Sequence, residues 1–284
     1  MVPDIVIHAC ASAAYAGLAW HFWNTRWREA RAAPGGSQGW ERAAVLAPLA
    51  IHGGLLYVDI FAAPQPHFGF AQALSLMVWL AVAILWVEAL AYRIEALYAM
   101  ALALAAICAP LTAYFPGRFV ADADSLAFRV HLLFGILAYS LFTIATLHAL
   151  LIAAVERRLH VAHDSGQSTE NAGLLRGTFS DLPPLLALES VVFRLIGAAF
   201  VVLTIAFAIG AAYSESTVGR AMRFDHKTVF IVLSWIAFAL LLAGRWLRGW
   251  RGRTAMRWTV AGFVMLLLAY PGSRFVLEVI LGRA

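Results

Sequence analysis

Histidine is the side chain in this sequence best suited to do chemistry. Nine are present among 284 residues, in a chain where Asp, Glu, Lys and Arg together make up only 13%. Imidazole is both a metal ligand and a proton carrier near neutral pH. His131 precedes LLFGILAYS and His226 precedes KTVFIVLSW, so each opens a long apolar run. If the two runs cross a membrane in the same direction, both imidazoles start at one level. There they can ligate a haem iron from its two faces. The helix N-termini beside them favour anions, which suits haem propionates. An interfacial or capping role for each residue accounts for the same pattern. No CxxCH occurs, so covalent c-type attachment is excluded and the expected cofactor is non-covalent haem b.

His52 lies in LAPLAIHGGLLY, near the middle of an apolar run. A histidine at that depth faces the bundle and needs a partner. Gly53 and Gly54 beside it permit close approach of a neighbouring helix or a flat ligand. An interhelical hydrogen bond explains it as well as a ligand does. His67, in PQPHFGF, fits either a surface residue or a further ligand. Arg274 and Glu278 are four apart and so share a helix face, where they can satisfy each other. Alternatively, the Arg274 guanidinium can receive a carboxylate from a ligand. The remaining histidines read as solvated, interfacial or near the opposite face. Cys10 and Cys108 read as small buried residues, not as a redox pair.

The elements that position these residues follow from the distribution of charge. The chain is 62% hydrophobic, and its few charges are confined between long uncharged stretches. Apolar runs occur at about 5–22, 43–61, 69–91, 96–115, 130–154, 185–213, 227–246 and 257–281, each near the roughly 20 residues a bilayer requires. A soluble enzyme and a nucleic-acid reader are both excluded, and the net charge of +5 belongs to membrane loops. The expected fold is an all-α membrane bundle of eight helices, a single integral domain over residues 1–284. Asp4 stands where a signal peptide would carry basic residues, so the first run is expected to be retained. No nucleotide-binding, zinc-protease or serine-hydrolase motif is present, and no carboxylate ladder marks a cation transporter.

Thirteen of the 21 basic residues fall in the connections after helices 1, 3, 5 and 7, and seven on the opposite side. Basic residues concentrate in cytoplasmic loops, which puts both termini outside. His131 and His226 then lie at the outer face. The connection at about 156–184, HDSGQSTENAG in its middle, reads as a flexible cytoplasmic linker.

Several segments carry a likeness to a known family. HLLFGILAYS at 131–140, LPPLLALESVVFRL at 182–195, DHKTVFIVLSW at 225–235, GWRGR at 249–253 and AGFVMLLLAYPGSRFVLE at 261–278 run in order. They resemble the cytochrome c assembly family, which includes the CcsA, ResC, CcmC and CcmF haem-handling membrane proteins. The likeness is strongest to its short HemX-like and YpjD-like inner-membrane branch and covers mainly the C-terminal half. It implies that His131 corresponds to the family's first external haem-ligand histidine. DHK at 225–227 stands where larger members carry Asp-Pro-Lys after a tryptophan-rich segment. Here SESTVGRAMRF at 214–224 holds no tryptophan, no histidine follows Glu278, and Gly244 lies where larger members carry a membrane histidine.

The resemblance implies a non-enzymatic inner-membrane protein that binds haem near the outer face and serves cytochrome c biogenesis or haem delivery. Its partners would be the lipid bilayer and other cytochrome c maturation or haem-pathway membrane proteins. The alternative is a HemX-like regulatory or scaffold subunit acting by protein contact. A small-solute transporter is the third class.

Overall fold

The computed structural model describes residues 2–28, 39–62, 67–119, 125–164, 185–218 and 225–282. Among them, eight helices are long and apolar enough to cross a membrane. They are α1 (Val2–Trp23), α2 (Gly39–Tyr57), α3 (Phe70–Glu88), α4 (Ala96–Cys108), α5 (Leu126–Asp164), α6 (Leu185–Val218), α7 (His226–Arg248) and α8 (Gly252–Leu267). The protein is an all-α membrane bundle, as expected from its hydropathy.

Helix α5 is the central post. It packs along α6 and also meets α3, α4 and α8, while α1 packs on α4 and α7 on α8. At 39 residues it is about 58 Å long, well beyond the thickness of a bilayer core. It therefore runs on to Asp164 and takes in residues expected to open the flexible linker; 165–184 lie outside the described residues. Helix α8 likewise begins at Gly252, earlier than the apolar run predicts, because Arg253 and Arg257 sit in its first turns. Hydropathy marks the lipid-spanning part of a helix, not its ends.

Prolines explain two irregularities. Pro110 ends α4, and a short turn, Leu111–Tyr114, follows. Proline has no N–H to give the preceding turn, so the Ala106 carbonyl loses its helical donor. The Ser12 hydroxyl of α1 donates to it at 2.6 Å. Ala113 turns its N–H to Pro110 instead, and His8 Nδ1 donates to the Ala109 carbonyl at 2.9 Å. The pairing of α1 with α4 therefore rests partly on carbonyls that Pro110 frees. Pro271 acts similarly in α8, where the helix widens into π turns at Leu268–Gly272 and Val276–Ile280 around Ser273–Phe275.

The GWRGR segment is the sharp turn between α7 and α8. Gly249 (φ 64°) and Gly252 (φ 55°) take left-handed conformations that other residues adopt only with strain. The Gly249 and Trp250 N–H groups close the end of α7 on the Arg245 and Gly244 carbonyls. Glu189 of α6 accepts from the Gly252 N–H at 2.9 Å.

Two strands of two residues, β1 (His67–Phe68) and β2 (Arg118–Phe119), pair antiparallel. They clip the α2–α3 connection to the α4–α5 connection. Nothing in the apolar pattern announced them.

Candidate functional site

A cavity of about 400 Å³ lies among α5, α6, α7 and α8, with Phe68 and Ala73 closing one side. That volume is in the range of small-molecule and cofactor pockets. Its walls are mostly apolar, including Phe128, Leu132, Leu203 and Phe207. The ends of the helices that bound it place it towards one end of the bundle, the end where α5 and α7 begin and α8 finishes.

His131 lines this cavity, about one turn into α5. Its Nδ1 donates to the Ala206 carbonyl of α6 at 2.9 Å. That bond fixes the ring's orientation and leaves the Nε2 lone pair uncommitted, the arrangement that orients metal-bound imidazoles. The ring fits because residue 210 is glycine. A Cβ there would lie 2.7 Å from His131 Cε1 and 2.9 Å from Nδ1. Gly210 is a site residue that pattern reading missed; its only signal is a small residue in an apolar run, which marks close approach.

Two tyrosines also line the cavity, Tyr139 on α5 beyond His131 and Tyr270 just past α8. The Tyr139 hydroxyl donates to the Leu266 carbonyl at 2.6 Å, just before the π turn that Pro271 brings to α8. Tyr270 packs below Arg274, whose guanidinium carbon stands 5.8 Å from the ring centre. Arg274 is half-buried and sits 4.0 Å from Glu278, while its Nε is buried with no hydrogen-bond partner. Glu278 is drawn the other way: its Oε2 accepts from the Phe70 N–H at the start of α3, at 3.4 Å. A carboxylate is favoured at that helix end. The guanidinium thus keeps donor capacity beside the cavity. Lys227 lies within electrostatic reach of Arg274, Glu278 and Asp225.

Asp225 caps α7, accepting from the Thr228 N–H at 2.9 Å and from its hydroxyl at 3.0 Å. Both residues line the cavity. Partial burial works against ionisation of Asp225, but the Thr228 bonds and the charges of Lys227 and His226 outweigh it, holding the carboxyl below its ordinary range.

The expected pairing of His131 with His226 is not what the fold brings together. His226 is exposed at the first residue of α7 and does not line the cavity. Successive residues turn by about 100°, so with Thr228 and Ile231 facing the cavity, His226 points elsewhere. His67 also stays outside. It is half-buried on β1 opposite Phe119, and Phe68, on the alternate face of the strand, is the residue that reaches the cavity. His52 is fully buried between helices, with Nε2 2.7 Å from Ser75 Oγ and its ring edge-on to Tyr15. The interhelical reading of His52 is the one realised. Gly53 lets Trp79 close over it, whereas Gly54 faces open space.

His148 is fully buried, with Nε2 3.5 Å from Glu88 Oε1 and Nδ1 bonded to Ile144. No spacing pattern announces this contact with α3. Cys108 is buried as expected, but Cys10 is exposed on the outer surface of α1.

Among the described residues, no three His, Cys, Asp or Glu side chains gather to hold a bare metal ion. Iron at His131 would need its remaining ligands from a macrocycle. The cavity fits that demand with one imidazole of fixed tautomer, apolar walls and a half-buried guanidinium nearby.

The profile of the cytochrome c assembly protein family matches residues 67–281. The inner membrane protein YpjD of Escherichia coli K12 is 29% identical over 179 residues, 63% of each chain. An uncharacterized 28.8 kDa protein of Azospirillum brasilense is 33% identical over 153 residues, 54% of this chain and 52% of its own. The cytochrome c biogenesis protein CcsA of Gloeobacter violaceus is 28% identical over 114 residues, 40% of this chain and 32% of its own. The chain therefore spans less than two thirds of the length of these relatives. No solved structure matches. The family profile covers all the cavity-lining helices and all but the two N-terminal spans. This multi-pass membrane protein belongs to the cytochrome c assembly protein family.

Proposed function

We propose that the protein binds haem non-covalently in the cavity of α5–α8 and serves cytochrome c assembly as a haem carrier of the inner membrane. The observation that carries this reading is the His131 ring, tied through Nδ1 to Ala206 and lining an apolar cavity with Nε2 uncommitted. His131 Nε2 would hold the iron of a bound haem, Phe128, Leu132 and Phe207 would exclude water from it, and Arg274 would offer its fork to a propionate.

The test is a haem titration of the detergent-purified protein. A Soret band that saturates at one haem per chain supports the reading. A protein that stays colourless points to the regulatory or scaffold role, exercised by protein contact. Arg274→Ala is expected to weaken haem retention about tenfold, the scale of one charge-assisted hydrogen bond. Arg274→Lys should restore part of it, because an ammonium keeps the charge but not the fork. Equal retention in wild type and Arg274→Ala would make the Glu278 pairing purely structural.

The arginine bias supports an orientation with both termini outside and the cavity near the outer face. A reporter inserted between residues 165 and 184 should then report the cytoplasm. A periplasmic signal would reverse the bundle and move the cavity to the inner face.

A further inference from the structure

A second opening lies in the N-terminal half, away from the cavity of α5–α8. It is a groove of about 700 Å³ between α1, α2 and the turn after α4. Its rim residues Ile5, Ile51 and Val58 are 48%, 41% and 58% exposed, on a surface that in a membrane meets acyl chains. Yet its floor is polar. His8 and Thr112 are 3% and 5% exposed, and Asp59, just past the end of α2, lines the groove with them.

These floor groups are incompletely satisfied. The Thr112 hydroxyl has no partner, although a helical threonine ordinarily bonds back to its own preceding turn. Asp59 Oδ2 is buried with no hydrogen bond among the described residues, and His8 Nε2 stands 3.8 Å away. His8 Nδ1 is committed to the Ala109 carbonyl, so Nε2 is the ring nitrogen turned towards the carboxylate. The two face each other across a gap too wide for a direct bond, and the Thr112 hydroxyl lines the same groove. Leaving such groups unmet in an apolar setting is costly.

We propose that this groove binds a neutral, lipid-borne molecule through a hydroxyl on its head. The ligand hydroxyl donates into the gap between His8 and Asp59, and the Thr112 hydroxyl donates back to the ligand's oxygen. From Asp59 to Ala50 the groove follows α2 for nine residues, about 13 Å along the axis. That length seats an apolar tail directed towards the membrane interior. Gly54 leaves the space open, since a Cβ there would meet nothing within 4 Å. Among the described residues no lysine or arginine lines the groove, and Asp59 repels a phosphate, so an anionic phospholipid headgroup is the wrong chemistry. An isoprenoid hydroquinone and a diacylglycerol both carry the required hydroxyl and tail.

The experiment measures the thermal-unfolding midpoint of the full-length protein in detergent against four probes. They are decylhydroquinone kept reduced, its oxidised quinone, dioctanoylglycerol and dioleoyl phosphatidylglycerol. At least one of the two neutral hydroxyl probes, the hydroquinone or the diacylglycerol, should raise the midpoint saturably, and which one does so identifies the source. The quinone and the phosphatidylglycerol should not. Asp59→Asn and Thr112→Val should each weaken the response about tenfold, the scale of a hydrogen bond to a charged or buried group. Gly54→Leu leaves the polar floor intact, favours the helix and should abolish the response by filling the groove. No saturable shift with either hydroxyl probe overturns the proposal. So does an equal response to phosphatidylglycerol or quinone, or a response that survives in all three variants.

Discussion

Replacing His131 with alanine is expected to remove most of the haem that the purified protein retains, with little loss of folded protein. His131 is half-buried at the cavity wall, and its one hydrogen bond to the fold is the Nδ1 contact with Ala206. Losing that contact costs about 1 kcal/mol, which a bundle of this size tolerates. Losing the coordinating nitrogen is far larger for the ligand. Outer-shell partners of metal-bound imidazoles are worth about 10–100-fold in affinity, and the imidazole itself exceeds them. The measurement is the Soret absorbance per chain after purification with added haem, together with the thermal midpoint of the haem-free protein. An unchanged Soret band in His131→Ala would remove His131 as the ligand. If His226→Ala, His52→Ala or His67→Ala altered the spectrum instead, haem would sit elsewhere in the bundle.

Gly210→Ala is expected to move stability and haem binding in opposite directions. Within a helix, alanine is favoured over glycine by about 1 kcal/mol, and α6 runs unbroken through residue 210. The new methyl, however, would stand 2.7 Å from His131 Cε1. A side chain yields more easily than a backbone, so the imidazole rotates away and its bond to Ala206 breaks. Haem affinity should fall by about 10–100-fold, the effect of losing an orienting partner, while the haem-free protein unfolds at the same or a higher temperature. Gly197→Ala is the control: it lies on the same helix, and its Cβ would meet nothing within 4 Å. It should share the gain in stability and keep haem. A Gly210→Ala protein that binds haem like wild type would show that the seat for the imidazole is not needed.

Much of the architecture is written locally in this sequence. Eight apolar runs became eight spanning helices, because a backbone in hydrocarbon must satisfy its hydrogen bonds within the segment. Asp225 three residues before Thr228 spelled a helix cap, and Gly249 a helix end, and both operate over a single turn. Pro110 and Pro271 fixed where helices break or widen, because the missing N–H is a property of the residue itself.

The composition of the cavity was not written in that way. His131 and His226 both open apolar helices in the sequence, yet only His131 lines the cavity, because α7 presents Thr228 and Ile231 to it. Which face a helix turns inward depends on the neighbours it packs against, and hydropathy that is apolar all round carries no such phase. The seat at Gly210, the acceptor at Ala206 and the pairing of His148 with Glu88 each join residues more than fifty positions apart. Contacts of that span leave no periodic trace in one chain. They exist only once α5 has been laid against α3 and α6, and that packing decided which histidine faces the cavity.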